Sequence, residues 1–199
     1  MKELKITIGG MPGAGKTTIA EILAKKLNLN LENRSFGRIL AEKRKITINE
    51  LMEQAKTNSQ IHKDIDKEII NYGKENKNFI LSSWLAYKFI PDSFKIFLYV
   101  SPKIGAKRIY KNQRPEEIKY SSIKETQHKT KKRLLDTKQG FEKAYKINFL
   151  LKSNYDLVIN TTRKSKKQVI KDIIKEMEKR NIIWFFIPIS KQNLKQIPF

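Results

Sequence analysis

The chain has 199 residues, with 42 lysines and arginines against 20 acidic residues, and its net charge is +22. This length favours one domain with a real core, the lack of cysteine excludes disulfides and thiolate metal sites, and two histidines are too few for a histidine-based metal cluster. No apolar run approaches the ~20 residues of a membrane span, and the chain opens on a short strand rather than a secretory signal, so we predict a cytoplasmic protein.

A glycine-rich loop follows the first predicted strand. Apolar residues alternate with polar ones over residues 4–8, and apolar residues recur at helical spacing over residues 19–27. Between them, Gly10-Met11-Pro12-Gly13-Ala14-Gly15-Lys16-Thr17-Thr18 fits the pattern G-x-x-x-x-G-K-[ST]. A strand, this loop and a helix in succession are the context that a phosphate-binding P-loop requires.

The residue types of the loop predict binding of ATP with Mg²⁺. Backbone N–H groups of such a loop converge on phosphates, aided by the positive end of the following helix. Lys16 would reach the β- and γ-phosphates, and the Thr17 hydroxyl would hold Mg²⁺. The predicted nucleotide-binding residues are Gly10, Gly13, Ala14, Gly15, Lys16, Thr17 and Thr18.

A helical region follows a short second strand near residues 29–31. Helices are predicted over residues 36–43, 48–56 and about 59–74, and Thr47 with Glu50 forms a capping-box pattern before the second of them. This region, residues 35–75, is the predicted acceptor-binding insert.

Three short apolar runs supply the remaining strands, at residues 78–82, 94–100 and 156–160. Such runs between helices indicate a parallel sheet covered on both faces. The first strand fits a central place less well, because it carries Lys5 and Thr7. The predicted fold is a doubly wound α/β P-loop NTPase with five parallel strands.

The second half of the chain contains a predicted lid at residues 112–138. Pro102 begins a helix, residues 112–122 form a polar connection, and helices at 123–138 and 141–151 are separated by Gly140. A last amphipathic helix spans 165–180 and completes a kinase domain of residues 1–180. The tail, 181–199, opens with an apolar run that predicts an edge strand or a flap, with a dimer contact or a membrane-surface contact as alternatives.

This order of elements is the plan of a small kinase, and four further stretches resemble the archaeal-type cytidylate kinases of the nucleoside-monophosphate kinase group. These stretches are Arg38-Ile39-Leu40-Ala41-Glu42-Lys43 with Thr47-Ile48-Asn49-Glu50-Leu51, then Ile61-His62-Lys63-Asp64-Ile65-Asp66, Ala106-Lys107-Arg108-Ile109, and Tyr155-Asp156-Leu157-Val158-Ile159-Asn160-Thr161. The resemblance runs from Ile6 to Thr162.

The resemblance implies transfer of the ATP γ-phosphoryl group to CMP or dCMP. It implies that Arg38 grips the acceptor phosphate and that Asp66 accepts from the cytosine amino group. Arg108 and Arg133, with Lys16, would be the catalytic cations, and Arg114 would assist them. Planar arginine side chains suit phosphate oxygens. We expect a monomer.

The chain departs from the family pattern at several positions. Ser82-Ser83-Trp84 stands where the family has Glu-Gly-Arg, which removes an acid near Mg²⁺ and a phosphate-binding arginine. Gly140 stands where a second lid arginine is expected, and Asn33 and Arg34 replace small residues of the acceptor site. Trp84 could stack on a base or belong to the core.

Two alternatives to the nucleoside-monophosphate kinase therefore stay open. One is a kinase of another small acceptor. The other is a degenerate ATP-binding protein with an RNA- or partner-binding role, because a charge of +22 attracts polyanions. Nucleic-acid binding is possible but not favoured, since lysines are spread along the whole chain.

Overall fold

The sheet is parallel throughout. The computed structural model describes residues 3–113 and 119–183. Five strands lie in the order β2-β3-β1-β4-β5, and each neighbouring pair is parallel. They are β1 (Lys5–Gly10), β2 (Asn30–Glu32), β3 (Phe79–Ser82), β4 (Phe94–Tyr99) and β5 (Leu157–Asn160). The predicted five-stranded α/β fold is confirmed.

Eight α-helices connect and flank these strands in the described part of the chain. They are α1 (Lys16–Leu27), α2 (Phe36–Lys43), α3 (Ile48–Thr57), α4 (Gln60–Glu75), α5 (Ala86–Phe89), α6 (Pro102–Lys111), α7 (Ile123–Tyr145) and α8 (Lys166–Lys179), with a 3-10 turn at Lys152–Asn154. The predicted capping box is present: Thr47 Oγ1 accepts from the Glu50 N–H, and Glu50 accepts from the Thr47 N–H at 2.7 Å.

β1 occupies the centre of the sheet although it carries two polar side chains. The buried Thr7 hydroxyl shares a 2.9 Å hydrogen bond with the Ser93 hydroxyl. Lys5 Nζ donates to the Gly73 carbonyl and to Asp92, both at 2.8 Å. Because each of these polar groups has a hydrogen-bond partner, burying β1 at the centre of the sheet costs little free energy.

Helices cover both faces of the sheet, as a doubly wound fold requires. Successive side chains of a strand point to opposite faces. Ile80 of β3 accordingly joins the main core with α1 and α8, whereas its neighbours Phe79 and Leu81 pack with α2, α4 and α5. A smaller apolar cluster joins α2, α3 and α4 to one another.

One prediction about the lid was wrong. α7 runs without a break from Ile123 to Tyr145 and includes Gly140, while residues 146–151 are not helical. A glycine inside a helix costs only about 1 kcal/mol. The ion pair from Lys138 to Glu142, at 2.6 Å, spans Gly140 and supports the helix there.

The end of the described chain joins the core. Ile183 is fully buried in the main cluster, and Ile182 packs against it. The rest of the predicted tail, 184–199, lies outside the described residues. Within the described ranges, no helix combines the length and the apolar character that crossing a membrane needs.

Candidate functional site

The P-loop leaves β1 at the carboxyl edge of the sheet and leads directly into α1. The Met11 N–H donates to the Leu98 carbonyl of β4 at 2.9 Å, which anchors the start of the loop. Gly13 and Gly15 have φ angles of +74° and +91°, a region that favours glycine. α1 begins with no side-chain cap and no acidic residue in its first turn. Its positive end is therefore suited to an anion.

The ammonium group of Lys16 is held over the loop. Lys16 Nζ donates to the carbonyls of Gly10 at 2.9 Å and Met11 at 3.2 Å. The side chain thus folds back across the turn from which it emerges. This places a positive charge beside the N–H groups that begin α1.

Close backbone contact positions the loop against α6. A Cβ atom added to Gly13 would lie 2.4 Å from the Gly105 carbonyl oxygen, and one added to Gly105 would lie 2.6 Å from the Pro12 carbonyl oxygen. Only glycine at both positions permits this approach. Gly105 is therefore part of the loop's support, although it lies in a helix far along the chain.

A cavity of about 670 Å³ opens beside the loop. Its charged lining residues, among those described, are all cationic. They come from the start of α1, from α6 and α7, from the segment after β5 and from the start of α8: Lys16, Arg108, Arg133, Lys164 and Lys166. Thr17, Thr18 and Thr161 are also among its lining residues. A cavity with this lining favours a polyanionic ligand.

Arg108 ties the loop to the end of β5. Its guanidinium donates to the Thr161 carbonyl at 2.7 Å, to the Thr161 hydroxyl at 3.1 Å and to the Gly13 carbonyl at 3.4 Å. The Thr161 hydroxyl is also within 3.3 Å of the Ala14 carbonyl. Arg108 thus braces the loop while it lines the cavity.

Arg133 approaches the loop from α7 across an indole ring. The Trp84 Nε1–H donates to the Gly10 carbonyl at 2.8 Å. The Arg133 guanidinium carbon lies 5.5 Å from the Trp84 ring centroid, and Lys16 Nζ lies 5.8 Å from it. Distances below ~6 Å are typical of cation–π contacts.

Arg38 and Asp66 lie away from this cavity. Arg38 is an exposed residue of α2, and Asp66 belongs to the neighbouring helix α4. Asp66 Oδ2 accepts a 2.7 Å hydrogen bond from the Tyr145 hydroxyl at the end of α7. The structure therefore brings Lys16, Arg108 and Arg133 together and leaves Arg38 and Asp66 on the insert helices.

Burial perturbs both members of the Asp66–Tyr145 pair. Desolvation raises the pKa of the Asp66 carboxyl above its ordinary value, against the opposing effects of the Tyr145 hydrogen bond, His62 and Lys88. The pKa of the Tyr145 hydroxyl is also raised, first by burial and then by Asp66. Burial destabilises the charged form of Asp66, so any further hydrogen-bond donor that reaches this carboxylate would stabilise that form.

Arg34 forms ion pairs with two acidic neighbours. Its guanidinium lies 3.2 Å from Glu32 and 3.3 Å from Glu42. Glu32 is the last residue of β2 and is nearly buried, so Arg34 compensates its charge. Arg114, the remaining predicted lid arginine, lies outside the described residues.

Comparison with known protein families matches residues 5–163 to the Cytidylate kinase-like family. The chain belongs to this family. This family assignment agrees with the P-loop, with the parallel sheet and with the resemblance to archaeal cytidylate kinases. Family membership implies the use of ATP and of nucleotide substrates.

Individual relatives of this cytidylate kinase-like chain cover most of it. The cytidylate kinase of Archaeoglobus fulgidus is 29% identical over 181 residues, which are 90% of this chain and 97% of that one. A protein of Lacinutrix mariniflava, named S-adenosylmethionine-dependent nucleotide dehydratase, is 30% identical over 181 residues. The match is 90% of this chain but spans only 37% of that relative's length.

Solved structures support the fold. Shikimate kinase from Bacteroides thetaiotaomicron superposes with a TM-score of 0.60 at 17% identity, covering 89% of this chain and 99% of that one. At this identity, the likeness shows a shared P-loop kinase architecture and nothing about the acceptor.

Sequence reasoning missed several residues of the site. Thr161 and Lys164 follow β5, and the rule that ligands bind at the carboxyl ends of parallel strands could have indicated them. Gly105 and Tyr145 carry no comparable signal, because each acts through a contact with a distant part of the chain.

Proposed function

We propose that this cytidylate kinase-like protein transfers the γ-phosphoryl group of ATP to a nucleoside monophosphate, with CMP or dCMP as the acceptor. The observation that carries the proposal is the convergence of Lys16, Arg108 and Arg133 from three separate elements on one cavity beside the P-loop. Cations that surround transferring phosphates stabilise the charge of the transition state.

Each predicted residue has a role in this proposal. Lys16 pairs with the β- and γ-phosphates, and Arg133 neutralises charge that develops on the transferred group. Arg108 faces the nucleotide from α6 and holds the loop through its bonds to Gly13 and Thr161. The loop N–H groups from Gly13 to Thr18 receive the remaining phosphate oxygens.

Mg²⁺ fits this site as a companion of the nucleotide. The described residues lining the cavity include the Thr17 hydroxyl and no carboxylate, and they show no group of three or more potential acidic or histidine ligands. Protein-bound Mg²⁺ commonly takes most of its ligands from phosphates and water. Thr17 would be its protein ligand, and the ion would polarise the phosphoryl group.

The acceptor would occupy the insert, on the side of α2 and α4. Arg38 is exposed and can receive the acceptor phosphate. Asp66 accepts from Tyr145 and retains lone pairs that a cytosine amino group could use. We also propose a cytoplasmic location and a monomeric state, in line with the sequence-based expectations.

A coupled phosphorylation assay with CMP, dCMP, UMP and AMP tests the proposal. We expect CMP or dCMP to give the highest kcat/KM. If UMP or AMP is preferred, the protein is a kinase of a different nucleoside monophosphate. A folded protein that binds ATP and phosphorylates none of the four contradicts the proposal.

The charge of +22 favours one other candidate, an ATP-binding protein with an RNA-binding role. That function predicts RNA affinity that falls steeply as salt rises, because binding releases counterions. Filter binding of RNA at about 50 and 200 mM salt, beside the kinase assay, separates the two functions.

A further inference from the structure

Trp84 contacts both the start of the P-loop and Lys16, the lysine at its end. The residue lies just after β3, the strand paired with β1, so it lies at the carboxyl edge of the sheet. The Gly10 carbonyl accepts from Trp84 Nε1 at 2.8 Å and from Lys16 Nζ at 2.9 Å. One oxygen therefore bonds both the indole and the ammonium group.

The indole also lies beside two of the cations that line the cavity, Lys16 and Arg133. Lys16 Nζ and the Arg133 guanidinium are 5.8 Å and 5.5 Å from its centroid. Both cations line the cavity, whereas Trp84 is not among the described lining residues. The fully buried Phe149 also packs against the indole, with a centroid distance of 5.5 Å. The indole is thus a supported surface that the cations face.

We propose that Trp84 is a positioning residue that gathers Lys16 and Arg133 beside the P-loop before ATP binds and releases them to its phosphates. Two like charges repel, and the ring quadrupole attracts both without neutralising either. A carboxylate in this place would pair with the cations and compete with the ligand. A neutral ring attracts the two cations only weakly, so the phosphates of ATP can displace it as their partner.

This inference rests on the proposed function for the identity of its ligand, and it adds a step before catalysis. Arg133 is exposed on α7, where free rotation would otherwise disperse its side chain. Holding the guanidinium near the loop reduces the conformational entropy that is lost when it engages the transferring phosphoryl group in the transition state. The effect of this positioning should therefore appear chiefly in kcat, because Arg133 acts on the transferred group.

Tryptophan fluorescence tests the release directly. The chain has two tryptophans, Trp84 and Trp184, so the emission of Trp84→Phe can be subtracted to isolate Trp84. We expect a non-hydrolysable ATP analogue with Mg²⁺ to change Trp84 emission in a saturable manner. In Arg133→Gln, the change should shrink by about half, because one of the two cations is absent. Lys132→Gln, an exposed neighbour on α7, is the matched control and should retain the full change.

Kinetics test the coupling between the ring and the arginine. Trp84→Leu should lower kcat about tenfold with a smaller change in KM for ATP, and Trp84→Phe should recover most of the loss. Trp84→Leu should lower kcat less in an Arg133→Gln background than in the unaltered chain, because one of the two cations that the ring positions is already absent. Circular dichroism checks folding, and the fluorescence comparison of the unaltered chain with Arg133→Gln carries the test if Trp84→Leu fails to fold.

The outcomes separate this inference from the proposed function. If calorimetry detects binding of the analogue but Trp84 emission does not change, or if the two substitutions multiply in kcat, the inference is overturned while the kinase assignment stands. If emission responds but no monophosphate is phosphorylated, the kinase assignment fails and the positioning role survives. If no nucleotide binds, both fail.

Discussion

The Tyr145 hydroxyl donates a 2.7 Å hydrogen bond to Asp66, and this bond joins the last residue of α7 to the middle of α4. Packing supports the contact, since the ring of Tyr145 meets Phe89 and Phe141 at centroid distances of 5.9 Å and 6.1 Å. α7, which contains part of the predicted lid, is therefore linked to the predicted insert through one polar pair.

Tyr145→Phe should weaken this link. Loss of a half-buried hydrogen bond to a carboxylate should lower the free energy of unfolding by about 1 kcal/mol, measured by urea denaturation. The pKa of Asp66 should rise further, because the Tyr145 donor now lowers it. Tyr99→Phe, at an exposed tyrosine of β4, is the control and should leave both quantities unchanged. An unaltered Asp66 titration in Tyr145→Phe would contradict the assignment.

Lys16→Ala should abolish most of the phosphoryl transfer. Removing one charge that stabilises the transferring group should lower kcat by about a hundredfold or more in the coupled assay. Lys25→Ala is a matched control, because Lys25 is an exposed residue in the last turn of the same helix. Equal rates for the two variants would show that the loop does not act on phosphate.

Two glycine-to-alanine changes should have opposite effects on stability. Gly105→Ala would bring a Cβ within 2.6 Å of the Pro12 carbonyl, and we expect a loss of about 1–3 kcal/mol with weaker ATP binding. Gly140→Ala lies inside α7, where an added Cβ would meet no atom within 4 Å beyond the adjoining backbone of its own helix, and it should gain about 0.5–1 kcal/mol. Urea denaturation and calorimetry with ATP analogue measure both effects. A destabilised Gly140→Ala would argue against a continuous α7.

The first turn of α7 should loosen in acid. Hydrogen bonds from Lys129 and then from Ser121 lower the pKa of Glu125 to about 2. Because the folded-state pKa is depressed, this stabilisation is fully present above the unfolded value of about 4.3 and is lost as pH falls toward 2. Amide-exchange protection in the first turn of α7 should therefore decline between about pH 5 and pH 2.

The N-terminus of α8 provides the control for that measurement. There, Ser165 and Gln168 form a capping box without a titratable group. Its protection factors should change less over the same range, and Glu125→Gln should remove the pH dependence from α7. If both helix starts loosen in parallel, Glu125 is not the cause.

Local sequence patterns were sufficient for most of the secondary-structure elements and for the P-loop motif. The P-loop is a run of consecutive residues, and the capping box of Thr47 and Glu50 is complete within one turn. Apolar periodicity placed the strands and most helices within a few residues, because side chains repeat with the period of the backbone. Gly140 misled the same reasoning, since an ion pair and helix packing outweigh the small cost of one glycine.

Tertiary structure alone decided how the separate parts of the site meet. Trp84 lies 74 positions from Gly10 and Tyr145 lies 79 positions from Asp66, yet both pairs share hydrogen bonds. Gly105 is required by a backbone that approaches it from the loop. Contacts of this kind depend on how helices pack over the sheet, and no periodic pattern in the chain encodes them. The sequence by itself therefore determined a P-loop on a parallel sheet, while the fold determined which side chains surround it.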